Sequence, residues 1–247
     1  MSEHTVSAIK LPYGVEYRPD TLKGYLADEA TKNKARNISS ANIIIGETGS
    51  GKTTLAYIIA KLHKGQIIEK NMAHQGGIDE MRKLFEMLKF APMEHDRYVV
   101  ILDELHKASK SAFDALLKEV EAKKDHVIWI GMTNMPKELP TVFFSRFNKI
   151  KLDYPHPDDL FDLVCDVLAS ENIPITKNVE ALIEACMQKT KNNPRDTLNS
   201  LQDAIRNGLH EKKIKYTELL DLIPTSLEDA EQSALDALIE LIKTSTI

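Results

Sequence analysis

Hydrophobic positions change their period partway along this chain. Up to residue 152, short apolar runs alternate with stretches in which apolar residues recur every three or four positions: the runs are Ile43-Ile44-Ile45, Gln66-Ile67-Ile68-Glu69, Tyr98 to Leu102, His126 to Ile130 and Lys149 to Leu152. Short β-branched runs of this kind mark strands buried in a parallel sheet, and the stretches between them supply the crossover helices that parallel pairing requires. Leu55, Ile58, Ile59 and Leu62 share one face of the first helix. Gly76-Gly77 opens a second, with Ile78, Met81, Leu84, Phe85 and Leu88 on one face, and Ser111 to Val120 forms a third around Phe113, Leu116, Leu117 and Val120. A polar, helical stretch from Asp28 to Asn37 precedes the first strand.

Beyond Pro155 the alternation stops. Leu160, Val164, Val167 and Leu168, then Val179, Leu182, Ile183 and Cys186, then Leu198, Leu201 and Ile205 give three helical patterns in succession. The expected class is therefore α/β, a five-stranded parallel αβα sandwich followed by a small all-helical domain. Domain limits are expected at 1–154, 155–210 and 211–247, with the first boundary at Tyr154-Pro155-His156-Pro157. The last segment holds Tyr216 to Ile223 and a final amphipathic helix carrying Leu227, Ala234, Leu235, Leu238 and Ile242 on one face.

Candidate chemistry gathers where the predicted strands end. Gly46-Glu47-Thr48-Gly49-Ser50-Gly51-Lys52-Thr53-Thr54 fits G-x-x-x-x-G-K-S/T and stands between the first strand and the first helix. Glycines let the backbone wrap closely around phosphate, and successive N–H groups at a helix start point at its oxygens. Lys52 is then expected to reach the β- and γ-phosphates of a bound nucleotide, and the Thr53 hydroxyl to be a ligand for Mg²⁺. The third strand ends in Asp103-Glu104; beyond the carboxyl end of a parallel strand, Asp103 stands near Mg²⁺ and Glu104 polarises an attacking water. Thr133-Asn134 ends the fourth strand, suited to hydrogen-bond that water or the γ-phosphate. Arg146, flanked by Phe143, Phe144 and Phe147, has an anchored backbone and a guanidinium suited to a transferring phosphoryl group. Asn193 reads as a helix cap, Pro194 as the first helical residue and Arg195 as a cation held at a defined helix start. Tyr17-Arg18-Pro19 reads as a tight entry segment.

Composition narrows the setting. With 247 residues, 43% of them hydrophobic, the chain can bury a full core, and a net charge of −5 excludes a protein coated in basic surface. Any nucleic-acid contact must come from a local patch. Cys165 and Cys186 form no C-x-x-C pair and fall among apolar residues, which fits core packing and a reducing cytoplasm. The eight histidines show no metal-ligand spacing, no apolar run reaches membrane-spanning length, and the first residues lack a signal-peptide pattern; the expectation is a soluble, cytoplasmic protein with no membrane partner.

Five stretches, YRPDTL, GETGSGKTTLA, ILDELHKASKSAFDALLKEVE, TNMPKELPTVFFSRF and NNPRDTLNSLQDAI, occur in an order that resembles the AAA+ ATPases of the clamp-loader family, such as the bacterial DNA polymerase III gamma/tau subunits. The similarity covers roughly Tyr17 to Gly208. It implies that Gly46 to Thr54 is Walker A and Asp103-Glu104 Walker B. Sensor 1 is implied at Thr133 or, preferably, Asn134. Arg146 is implied to be a finger acting on ATP held by a neighbouring subunit, and Arg195 a sensor 2, with Tyr17, Arg18 and Pro19 lining the adenine pocket. It also implies ATP and Mg²⁺ as ligands, and other loader subunits, a sliding clamp and primer-template DNA as partners, with Lys107 and Lys110 as candidates for phosphate contacts. The family's cysteine-rich zinc module is missing, since Lys64 to Gln66 joins helix to strand directly, Phe147 replaces the usual cysteine, and only about one helical hairpin follows Glu211, so a full collar domain is not expected here. Two other readings stay open: another AAA+ machine on nucleic acid, such as a helicase loader or compact phage ATPase, and a nucleotide-gated scaffold.

Overall fold

The computed structural model describes residues 11–212 and 214–223. The final amphipathic helix expected from Leu227 onward lies outside the described residues. Along the chain run α1 (Tyr13–Glu16), α2 (Glu29–Arg36), β1 (Ala41–Gly46), α3 (Lys52–Leu62), β2 (Gly65–Asn71), α4 (Met72–Gln75), α5 (Ile78–Met87) and β3 (Arg97–Asp103). They are followed by α6 (Lys110–Glu121), β4 (Val127–Thr133), β5 (Asn148–Leu152), α7 (Pro157–Ser170), α8 (Lys177–Lys189), α9 (Pro194–Arg206) and α10 (Tyr216–Leu222). Two compact units result: Pro19–Tyr154, and a second made of residues 11–18 with 155–223.

In the first unit five parallel strands lie in the order β2-β3-β4-β1-β5. Consecutive strand residues face opposite sides, so each apolar pair serves both layers. Ile43, Val100 and Trp129 enter a core with Met81, Leu84, Phe113 and Phe143 on one face. Ile44, Val99 and Ile128 enter another with Leu55, Ile58 and Ile59 on the opposite face. The β4 strand, between β3 and β1, is buried along its whole length. The β2 strand is an edge and carries Gln66, Glu69 and Lys70, charges and amides that discourage pairing with another sheet.

In the second unit α7, α8 and α9 bury Leu160, Val164, Leu182, Ile183, Leu198 and Leu201 in one cluster. Each of the last two helices begins at a side-chain cap: Thr176 accepts from the Val179 N–H, and Asn193 from those of Arg195 and Asp196. Cys186 is fully buried here, and burial pushes its thiol up to about 12, as suits a packing residue.

Residues 11–18 belong to this helical unit and not to the sheet unit in which the sequence reading placed them. The reason lies on α9. The Gln202 side chain accepts from the Tyr13 N–H at 3.2 Å and donates to the Leu11 carbonyl at 2.9 Å, and the Asn199 side chain accepts from the Gly14 N–H at 3.1 Å. Hydrophobic patterning gave these two amides no role; in the fold they bind backbone. Leu219 and Ile223, on and just after α10, join the same cluster, so the segment after Glu211 begins inside this unit. Among the described residues no helix is long and apolar enough to cross a membrane.

Candidate nucleotide site

The turn from β1 to α3 is built so that backbone fills the space side chains would occupy. A Cβ on Gly46 would lie 2.7 Å from both the Leu152 carbonyl oxygen and Ser50 Oγ. Gly49 and Gly51 have φ of 79° and 90°, the left-handed region that glycine enters without strain. Beneath Gly51 lies Tyr25, whose hydroxyl donates to the Gly51 carbonyl at 3.3 Å and comes within 2.9 Å of where a Gly51 Cβ would stand. Burial raises the Tyr25 phenol well above its ordinary pKa, so it serves as a neutral donor. Lys52 folds over the loop and donates to the carbonyls of Gly46, at 2.9 Å, and Glu47, at 2.8 Å. Ser50 Oγ is buried with no hydrogen-bond partner. A closely approached loop, an ammonium lying on its carbonyls, an orphaned hydroxyl and the N-terminus of an 11-residue helix fit a polyphosphate better than any uncharged ligand.

Two neighbouring strand ends reach the same edge. Ile45 of β1 pairs with Thr133 of β4, and Leu102 of β3 pairs with Gly131, so Gly46, Thr133 and Asp103 finish their strands within about two residues of one another. The Asn134 amide donates to Thr48 Oγ1 at 3.3 Å, tying the end of β4 to the loop. Two residues beyond β5, the Tyr154 hydroxyl donates to the Thr48 carbonyl at 3.0 Å. Asp103 accepts from the Glu104 N–H at 2.8 Å. Glu104 itself has φ 51° and ψ 40°, an uncommon conformation for a residue with a Cβ, and it turns the chain into a single 3₁₀ turn, Leu105–Lys107. Its side chain is 43% exposed.

Arg146 occupies the other edge. It follows a 3₁₀ stretch, Thr141–Ser145, and stands two residues before β5 begins, whereas Gly46 and Thr133 stand where β1 and β4 finish. Since all strands are parallel, the length of the sheet separates Arg146 from its own phosphate loop. Phe143 and Phe147, both buried and stacked at 4.7 Å, hold its backbone. Its guanidinium pairs with Glu121 at the end of α6 and donates to the Val142 carbonyl at 3.2 Å.

Four of the sequence candidates, Tyr17, Arg18, Pro194 and Arg195, belong to the helical unit. Tyr17 donates to Glu171 at 2.6 Å and packs edge-on against Tyr13; burial, then the bond to Glu171, raises its phenol pKa. Arg18 Nε is buried without a partner. Arg195 opens α9 over the Asn193 cap, and burial raises the neighbouring Asp196 carboxyl above its ordinary value. Pro19, Gly46 to Thr54, Asp103, Glu104, Thr133, Asn134 and Arg146 belong to the sheet unit. Sequence reasoning assigned no role to Tyr25, Tyr154 or His106; His106 stands within the stretch around Asp103-Glu104, but only the place of each under the loop or beside the acids marks it.

Residues 42–153 match the model of the AAA family, the ATPase family associated with various cellular activities. The chain is 27% identical over 212 residues to the DNA polymerase III subunit gamma of Buchnera aphidicola, covering 76% of this chain and 58% of that protein. It is 27% identical over 255 residues to the gamma/tau subunit of Mycobacterium tuberculosis, covering 90% of this chain and 43% of the relative, and 29% identical to that of Mycoplasma genitalium, covering 83% and 38%. The chain thus spans between 38% and 58% of the length of these relatives. Among solved structures, the Thermotoga maritima RuvB Holliday junction branch migration motor superposes with a TM-score of 0.67 at 20% identity, over 83% of this chain and 71% of that one.

Proposed function

From a chain that carries an AAA ATPase domain and is homologous over most of its length to DNA polymerase III gamma/tau subunits, we propose an ATP-hydrolysing subunit of a clamp-loader-like assembly. The observation that carries this reading is the common edge: the loop Gly46 to Thr54, the Asn134 side chain bonded to it, and Asp103-Glu104 all stand where parallel strands finish. Backbone N–H groups of the loop and Lys52 hold the phosphates, and Ser50 Oγ gains a partner it lacks. Thr53 and Asp103 are the residues that would hold Mg²⁺, which supplies charge neutralisation at the phosphates. Glu104 accepts a proton from the attacking water as the new oxygen–phosphorus bond forms and the bond to the ADP oxygen breaks. Asn134 steadies that water or the γ-phosphate. We assign Tyr17, Arg18, Pro19, Pro194 and Arg195 as further nucleotide contacts.

Arg146 cannot serve the loop of its own chain across the length of the sheet, which supports a role toward ATP on an adjacent copy or related subunit. Nucleotide binding would then order the assembly, and hydrolysis would release a sliding clamp and primer-template DNA. Lys107 and Lys110, just after the acids, are our candidates for DNA phosphate contacts, and DNA affinity should fall steeply with salt. The test is Glu104→Gln in the full chain. ATP binding is expected to persist while turnover falls by at least about a hundredfold, and chelation of divalent metal is expected to stop turnover in the wild type. Equal turnover in the variant and the wild type would remove Glu104 from this role.

A further inference from the structure

His106 is a buried imidazole that the hydrolytic reading leaves unused. Its side chain is 2% exposed. Local packing fixes its place: Leu105, fully buried, lies so close to β4 that a Cβ on Gly131 would come within 2.6 Å of Leu105 Cδ2. The next residue is therefore held between β4 and the end of β3. There, His106 Nδ1 is 3.0 Å from Thr133 Oγ1, and Nε2 is 3.8 Å from Glu104 Oε2.

Hydrogen-bond accounting orients the ring. Thr133 Oγ1 already accepts from the Met135 N–H at 3.0 Å and lies 3.0 Å from Nδ1, to which its own hydroxyl proton can be given. With Nδ1 accepting, the imidazole proton stands on Nε2, facing the Glu104 carboxylate. The opposite tautomer would set a nitrogen lone pair against the carboxylate oxygens. At 3.8 Å the pair is just too long for a hydrogen bond, and a rotation of the half-exposed Glu104 side chain would be needed to close it. The same strand end touches the phosphate loop through Asn134 and Thr48.

We propose that His106 is a positioning residue: anchored by Thr133, its Nε2–H directs the Glu104 carboxylate and links that carboxylate to the β4 end in contact with the phosphate loop. This rests on Glu104 activating water. A histidine that only fills the core would influence stability, and turnover only in proportion to stability or nucleotide affinity.

Four variants of the full chain, His106→Leu, His106→Gln, Thr133→Val and Glu104→Gln, are compared for kcat, KM, equilibrium binding of a fluorescent ATP analogue and urea unfolding. His106→Leu is expected to lower kcat at least about tenfold, with KM and analogue affinity within about threefold of wild type. His106→Gln, whose amide N–H₂ reaches the place of Nε2, is expected to recover most of that loss. Thr133→Val is expected to act in the same direction, and the double variant with His106→Leu to lose no more than the worse single one, the mark of one unit. Nitrogen NMR of the wild-type imidazole is expected to show the Nε2–H tautomer, with a signal that moves in Glu104→Gln. Wild-type kcat in His106→Leu, an Nδ1–H tautomer, or a loss of turnover matched by equal losses of affinity and stability without rescue by glutamine would overturn the proposal. Glu104→Gln separates the two levels: if it is inactive while His106→Leu is not, only the role of His106 falls, and if it turns over like wild type, the hydrolytic reading falls with it.

Discussion

Gly51 shows how a single position binds fold to site. Its φ of 90° belongs to the left-handed region, and the space a Cβ would need is taken by the Tyr25 hydroxyl at 2.9 Å. Gly51→Ala therefore meets both a backbone penalty and a clash with a buried ring, and is expected to cost about 1 to 3 kcal/mol, read as a lower urea midpoint, together with weaker ATP binding. An alanine variant with wild-type stability would show that the loop rearranges freely. Glu104 carries a comparable backbone conformation with a full side chain, which is tolerated where surrounding structure over-determines it. The residue types around the phosphate loop were legible in the sequence because Gly, Lys and Thr are demanded at fixed spacing. Tyr25, Tyr154 and His106 were not, because a lone aromatic or imidazole acquires a role only from partners distant in sequence, such as Thr48 for Tyr154 and Thr133 for His106.

Secondary structure was most readable where the period was strong. Each apolar run marked in the first 152 residues became a strand, and α3, α5 and α6 follow the stripes of Leu, Ile, Met and Phe, except that Leu62, at the end of α3, is left half exposed. The short α1 and α4 were not legible, since four residues give no period to detect. Nor was the attachment of α1 to α9 legible: Gln202 and Asn199 accept from the N–H groups of Tyr13 and Gly14, and Gln202 donates to the Leu11 carbonyl just before the helix, a task invisible in hydrophobic patterning. The start of α9 was legible, because Asn193-Pro194 is a cap followed by a residue with preset φ. Removing that cap tests how much it contributes. Asn193→Ala is expected to lower stability by about 1 kcal/mol in urea unfolding, since the N–H groups of Arg195 and Asp196 lose their acceptor. An unchanged midpoint would mean that water satisfies both groups equally well.

At the scale of the whole molecule the fold is the P-loop AAA+ arrangement, a five-stranded parallel sheet with helices on both faces, followed by a helical part. Parallel topology gives the sheet two chemically different edges. The phosphate loop and the acids occupy one, and Arg146, held by Phe143, Phe147 and Glu121, the other. An arginine so placed pairs with Glu121 within its own chain, and the proposed function gives it a second task where copies abut. The account therefore stands on a site completed by a neighbour, and mixing two variants tests it most directly. Lys52→Ala loses its own phosphate grip but keeps Arg146; Arg146→Ala keeps the loop but has no guanidinium to lend. Each alone is expected to hydrolyse ATP poorly, and an equimolar mixture is expected to regain part of the wild-type turnover. A mixture as inactive as its components, or Arg146→Ala turning over at the wild-type rate alone, would contradict the account.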